Sequence, residues 1–91
     1  MSRKARATAD AAFRAEGLAP HTWSNEPGYV YGEHVHDYHK VLFCTEGSIT
    51  FHTPDGDVHL EPGDRVDLLP GTPHSATVGW RGVTCVEAAR R

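Results

Sequence analysis

Ninety-one residues, a formal charge of −3 and a hydrophobic content of 38% describe one small domain rather than two. No run approaches the ~20 apolar residues of a membrane-spanning helix, and the lysines and arginines form no stripe that would neutralise phosphates, which argues against a nucleic-acid partner. The basic start is followed by no apolar stretch, so no secretory signal is expected; the expected location is cytoplasmic, with Cys44 and Cys85 as reduced thiols.

A chain this short buries only about 60–65% of its unfolded surface, so a homodimer that covers further apolar area is expected. The domain division expected is an N-terminal helix and connection over residues 1–20 and a single barrel over residues 21–91. The compositional oddity is histidine, of which there are seven.

Residues 2–16 read as a helix. Alanine dominates, and Ala9, Ala12 and Phe13 share one face at i, i+3, i+4 spacing. Gly17 suits the left-handed position after the helix, Leu18 can return to Phe13, and Pro20 follows. Phe13 is expected to pack on the outside of the domain or against a neighbouring subunit.

From His21, read as a surface loop residue, the pattern changes. Turn chemistry at Pro27-Gly28, Glu46-Gly47, Pro54-Asp55-Gly56, Pro62-Gly63-Asp64, Pro70-Gly71 and Gly79 separates runs of strand length at 29–36, 40–45, 48–53, 57–60, 65–69, 75–78 and 83–88. Short strands at such spacing predict an all-β sandwich or barrel. Ile49, Phe51 and Thr53 alternate with Ser48, Thr50 and His52, the signature of a strand with one buried face, and Pro54-Asp55-Gly56 predicts a hairpin.

The triplet His34-Val35-His36 lies in the first of these runs. On an extended strand the two imidazoles share one face, their Cα atoms ~6.6 Å apart, and can converge on one ion at ~2.0–2.1 Å. Two histidines alternating on a wet strand face would give the same triplet, so the weight falls on a third, distant His74. His52 and His59 alternate against core residues and read as solvated. Cys44 shares parity with Leu42 and reads as a buried, inert thiol. Trp23, Tyr29 and Tyr31 read as packing residues, and Tyr38 as the aromatic on the inward face. No nucleophile–base pair, phosphate loop or dinucleotide fingerprint is present, and Glu33, Asp37 and Asp67 form no evident acid–base couple.

Gly28, His34-x-His36 and Gly47 resemble the first motif of the cupin superfamily, and Gly63-Asp64 through Pro70-Gly71-Thr72-Pro73-His74 resemble the second. The likeness covers roughly residues 28–78. It implies a small double-stranded β-helix, the cupin or jelly-roll barrel, carrying its N-terminal α-helix, with a metal site in the barrel mouth. His34, His36 and His74 would be the ligands of a divalent transition metal, and imidazole does not choose among Zn, Fe, Mn, Ni or Cu. Two positions depart from the pattern: Lys40 stands where a glutamate ligand is usual, and Val78 where an asparagine often follows the last histidine.

An ammonium aimed at a divalent ion repels it, which leaves three outcomes. Lys40 turns outward and leaves a three-histidine site; a bulge brings His39 inward as a fourth ligand; or Lys40 faces inward and the site takes anions or no metal. The functions expected are a small-molecule oxygenase or isomerase, or a non-catalytic metal- or ligand-binding sensor module, in either case with a small-molecule ligand or substrate as partner.

Overall fold

The computed structural model describes residues 2–91. Helix α1 (Arg3–Glu16) is followed by six strands: β1 (His21–Asn25), β2 (Val30–His34), β3 (His39–Thr53), β4 (Gly56–Leu60), β5 (Arg65–Leu68) and β6 (His74–Arg90). All strand pairs are antiparallel, as expected for an all-β fold. Among the described residues no helix is long and apolar enough to cross a membrane.

Two strands, β3 and β6, are about twice the length of a usual strand and pair with each other along most of their course, from His39 opposite Arg90 to His52 opposite Ser75. Each serves two layers. The first half of β3 lies between β5 and the second half of β6, which carries β1 on its far edge; the second half of β3 lies between β4 and the first half of β6, which carries β2. The separate runs 40–45 and 48–53 of the sequence reading are therefore one strand, as are 75–78 and 83–88. Gly47 interrupts the pattern without ending the strand, because it sits at a register shift where β3 bends from one layer to the other. Its φ is +70°, and a Cβ there would meet the carbonyl oxygen of Gly82 on β6 at 1.9 Å, so only glycine fits.

His21, expected in a surface loop, instead begins an edge strand over residues 21–25, ahead of the first strand-length run of the sequence reading. Thr22 and Ser24 give no apolar alternation, so pairing to β6 decides the conformation, with Trp23 opposite Cys85. The hairpin at Pro54-Asp55 is present, with Thr53 opposite Gly56.

The interior between the layers holds Leu42, Cys44, Ile49, Phe51, Leu60, Leu68, Val78 and Cys85 among others. A second cluster lies outside the sheet, where α1 lays Ala9 and Phe13 on Val41, Phe43, Val86 and Ala88; the Phe13 and Phe43 rings meet edge to face at 5.5 Å. Phe13 thus packs outside the barrel but within its own chain. The helix starts at Ser2, whose hydroxyl accepts from the Ala5 N–H at 3.0 Å. It stops at Gly17 (φ +69°), with Gly17 N–H donating to Arg14 O and Leu18 N–H to Phe13 O, the reciprocal pair of a Schellman stop. Glu16 at the helix end accepts from Arg65 and Arg90, tying α1 to β5 and β6. Phe13→Ala empties a fully enclosed site and should lower the unfolding free energy by about 3–4 kcal/mol, read as a lower urea midpoint with an unchanged slope.

Candidate metal centre

The two motifs that carry histidine lie on different segments, and the sheet brings them together. His34 ends β2 and His74 begins β6, and the two are register partners. β2 ends at His34 rather than running to 36, so His36 lies in the connection to β3. That connection is fixed to the turn before His74 by the Gly71 N–H, which donates to His36 O at 2.9 Å. The three rings stand with centroids 4.3 Å (His34–His74), 4.9 Å (His34–His36) and 5.3 Å (His36–His74) apart. One ligand nitrogen from each lies within 4.8 Å of the others, near the ~4.2 Å that separates two nitrogens on opposite sides of one ion at ~2.1 Å.

Local backbone sets which nitrogen is free. His34 Nδ1–H donates to Gly32 O at 2.7 Å and His74 Nδ1–H to Thr72 O at 3.0 Å, leaving both Nε2 lone pairs for an ion, the outer-sphere arrangement expected of ligating imidazoles. His74 is 2% exposed. Among the described residues, the buried side-chain N and O atoms without a hydrogen-bond partner are His36 Nδ1 and His74 Nε2. A buried polar atom left bare is costly, and both such atoms belong to this cluster. The residues present therefore fit a metal ion, on donor chemistry as well as on geometry.

Lys40 faces inward, as strand parity requires. Its side chain is 13% exposed, and Nζ lies 3.4 Å from Glu87 Oε2 on the neighbouring strand. Glu87 is held in turn by the Trp23 indole, whose Nε1–H donates to Oε1 at 2.7 Å, and has His21 Nε2 at 3.8 Å. Of the three outcomes weighed for this position, the outward lysine is thus corrected by the fold, and the charge is met by a partner strand. The fourth-ligand role for His39 is corrected as well. β3 begins at His39 in regular register with Arg90 of β6, its bulges coming only after Cys44, and the His39 ring meets Asp67 Oδ2 at 2.7 Å.

The cavity beside the histidines has a volume of about 320 Å³, and its lining includes the polar residues His34, His74, Lys40 and Glu87 and the apolar or aromatic residues Trp23, Tyr31, Leu42, Ile49, Phe51 and Ala76. A larger depression of about 910 Å³ opens at the strand bend around Gly47, Trp80 and Gly82, with no imidazole in its wall. Tyr38, expected on the inward face, stands instead at the rim, its ring 4.9 Å from that of His36 and under the Arg91 guanidinium.

His21, Trp23 and Glu87 line the cavity, and sequence reasoning singled out none of them as part of a site. Glu87 left a signal, a lone carboxylate in the run Val83-Thr84-Cys85-Val86-Glu87-Ala88 at the parity of Val83 and Cys85. Cys44 and Cys85 are cross-strand neighbours, both free and buried, and burial pushes the Cys44 thiol up to about 11, so the inert reading holds. His52 and His59 lie on the outer face, bonded to Asp57 and Thr77 and to Thr50 and Glu61.

With this geometry in hand, the chain can be placed among known proteins. Its fold and inward histidine cluster are those of a cupin barrel, a double-stranded β-helix. The AraC-like ligand binding domain family matches residues 21–81, and the chain belongs to that family. No curated protein matches it. Among solved structures, the DMSP lyase DddQ from Ruegeria pomeroyi is 25% identical with a TM-score of 0.74 over 81% of this chain and 38% of the lyase. A cupin-2 domain containing protein from Shewanella frigidimarina is 17% identical with a TM-score of 0.69, over 81% of this chain and 71% of the other. Oxalate decarboxylase of Bacillus subtilis is 21% identical with a TM-score of 0.71, over 79% of this chain and 20% of the decarboxylase. The chain thus spans about two fifths of the lyase and a fifth of the decarboxylase.

The pKa values of His36 and His74 are both lowered. Burial is the largest cause, the Lys40 ammonium and the His34 ring add to it, and the Glu87 carboxylate and, for His74, the Thr72 carbonyl oppose it. Both rings accordingly stay neutral at pH 7. Because they bind protons less readily folded than unfolded, their contribution to stability is complete above the ordinary imidazole pKa near ~6.5 and is lost as the pH falls below it. The urea midpoint of metal-free protein should therefore drop between pH 7.5 and pH 5, and His74→Phe should flatten that drop.

Proposed function

We propose that this chain is a metal-dependent small-molecule-binding domain in which His34, His36 and His74 hold a divalent transition ion at the edge of the cavity. The observation that carries the reading is the pair of bare, buried nitrogens, His36 Nδ1 and His74 Nε2, in a cluster where each histidine offers a nitrogen within 4.8 Å of the rest. When bound, a divalent ion on three imidazoles supplies a Lewis acid with open positions.

The chain's own residues do the rest. Thr72 O and Gly32 O fix the tautomers of His74 and His34, and burial keeps His36 and His74 neutral. Trp23, Tyr31 and Phe51 give the cavity part of an apolar lining. Lys40 and Glu87 balance each other's charge beside the cluster.

Binding rather than turnover is favoured because the cavity's only carboxylate among the described residues, Glu87, is engaged by Trp23 and Lys40 and is poorly placed to serve as a free base. The catalytic reading draws its support from neighbours that are a lyase and a decarboxylase. Elemental analysis of untagged protein should find near-stoichiometric transition metal in the wild type and little in His74→Ala. Equal, substoichiometric metal in both would reject the site. Dioxygen uptake by Fe(II)-loaded protein over a panel of small thiols and diketones separates the two readings: silence is expected of a binding domain, and sustained uptake would make it an oxygenase.

A further inference from the structure

The charge balance of the cavity bears on what it takes. Three neutral imidazoles contribute nothing to offset a divalent ion, and Lys40 and Glu87 cancel each other. Where the cupin pattern usually has a carboxylate ligand, this chain has an ammonium, so a bound ion's charge stands uncompensated beside an apolar wall. Charge in such a place draws an anion. Glu87 cannot be that anion, since Oε1 is taken by the Trp23 indole and Oε2 faces Lys40 and His21.

Lys40 is held but not used up. At 3.4 Å its contact with Glu87 is longer than the ~2.7–2.9 Å of a close charge-assisted hydrogen bond, so its ammonium keeps donors for a ligand. Lys40 borders the same cavity as His34 and His74. A single ammonium, with no guanidinium in that wall, suits a monoanion better than a phosphate, which asks for more donors. Trp23, Tyr31, Ile49 and Phe51 give the same cavity an apolar or aromatic lining.

We infer that Lys40 is the specificity-determining residue of the cavity, and that the ligand is a small monocarboxylate with an apolar body whose carboxylate lies between the Lys40 ammonium and the ion on the histidine cluster. The inference rests on the metal reading above.

The test is calorimetric titration of Zn(II)-loaded protein with phenylacetate and with phenylacetamide, an uncharged probe of nearly the same shape. Phenylacetate should bind at least about tenfold more tightly. Lys40→Met should erase most of that preference while Zn(II) is retained or held more tightly, because a neighbouring positive charge is gone. A purely structural role for Lys40 would instead weaken Zn(II) and both probes together. Glu87→Gln should move the other way, raising phenylacetate affinity by removing the ammonium's internal competitor while a side-chain carbonyl still accepts from Trp23. That variant and the wild-type comparison decide the matter by themselves if Lys40→Met does not fold. The inference is overturned if Zn(II)-loaded wild type binds the two probes equally or binds neither, or if Lys40→Met keeps the preference. Wild type that takes up no Zn(II) removes the metal reading itself, a result distinct from a loaded protein indifferent to charge.

Discussion

The close approach of β3 and β6 at their bend is the constraint on which the rest of the molecule depends. Gly47 and Gly82 both have positive φ, and the space between them admits no Cβ at Gly47. Because the two backbones can come this near, each long strand turns from one layer into the other without losing its partner. The barrel is closed by two continuous strands rather than by loops, which is how a chain with so small a core encloses a cavity at all. The placement of His74 follows from the same geometry, since it is the first residue of the strand whose later part carries Glu87.

The site is assembled from both halves of that arrangement. His34 and His74 come from one layer, through the β2–β6 pairing, while Lys40 and Glu87 come from the other, through β3 and the second half of β6. The metal-type cluster and the charged pair therefore sit on opposite layers and look into one space. The Gly71–His36 backbone bond closes the mouth side by joining the two connections that bear the motifs. Burial then does the chemical tuning, holding imidazoles neutral where they can act as ligands.

Much of this was legible from residues alone. Turn chemistry gave the all-β class, Gly17 and Pro20 marked the end of the helix, and His34, His36 and His74, singled out by motif and spacing, lie together in one cluster. What escaped detection was non-local. Residues 21–25 lack the alternation of a half-buried strand and become one only by pairing with β6, so the roles of His21 and Trp23 were hidden with it. The direction of Lys40 followed from parity, but its partner could not, because the carboxylate that meets it lies 47 positions along the chain at Glu87. His39 was misplaced as a candidate ligand for the complementary reason: nothing local announces that Asp67 on β5 is there to receive it.

The helix on the outside of the barrel has a consequence for how the sequence can drift. Along Val41-Leu42-Phe43-Cys44 the odd residues meet α1 and the even ones fill the interior, so this part of β3 has no side facing water. Elsewhere in the same strand every second position is at liberty to become polar. A tolerance map of the chain would accordingly be unbroken over these four residues and striped from Ser48 onward, and the boundary between the two patterns would trace the footprint of a helix from substitution data alone.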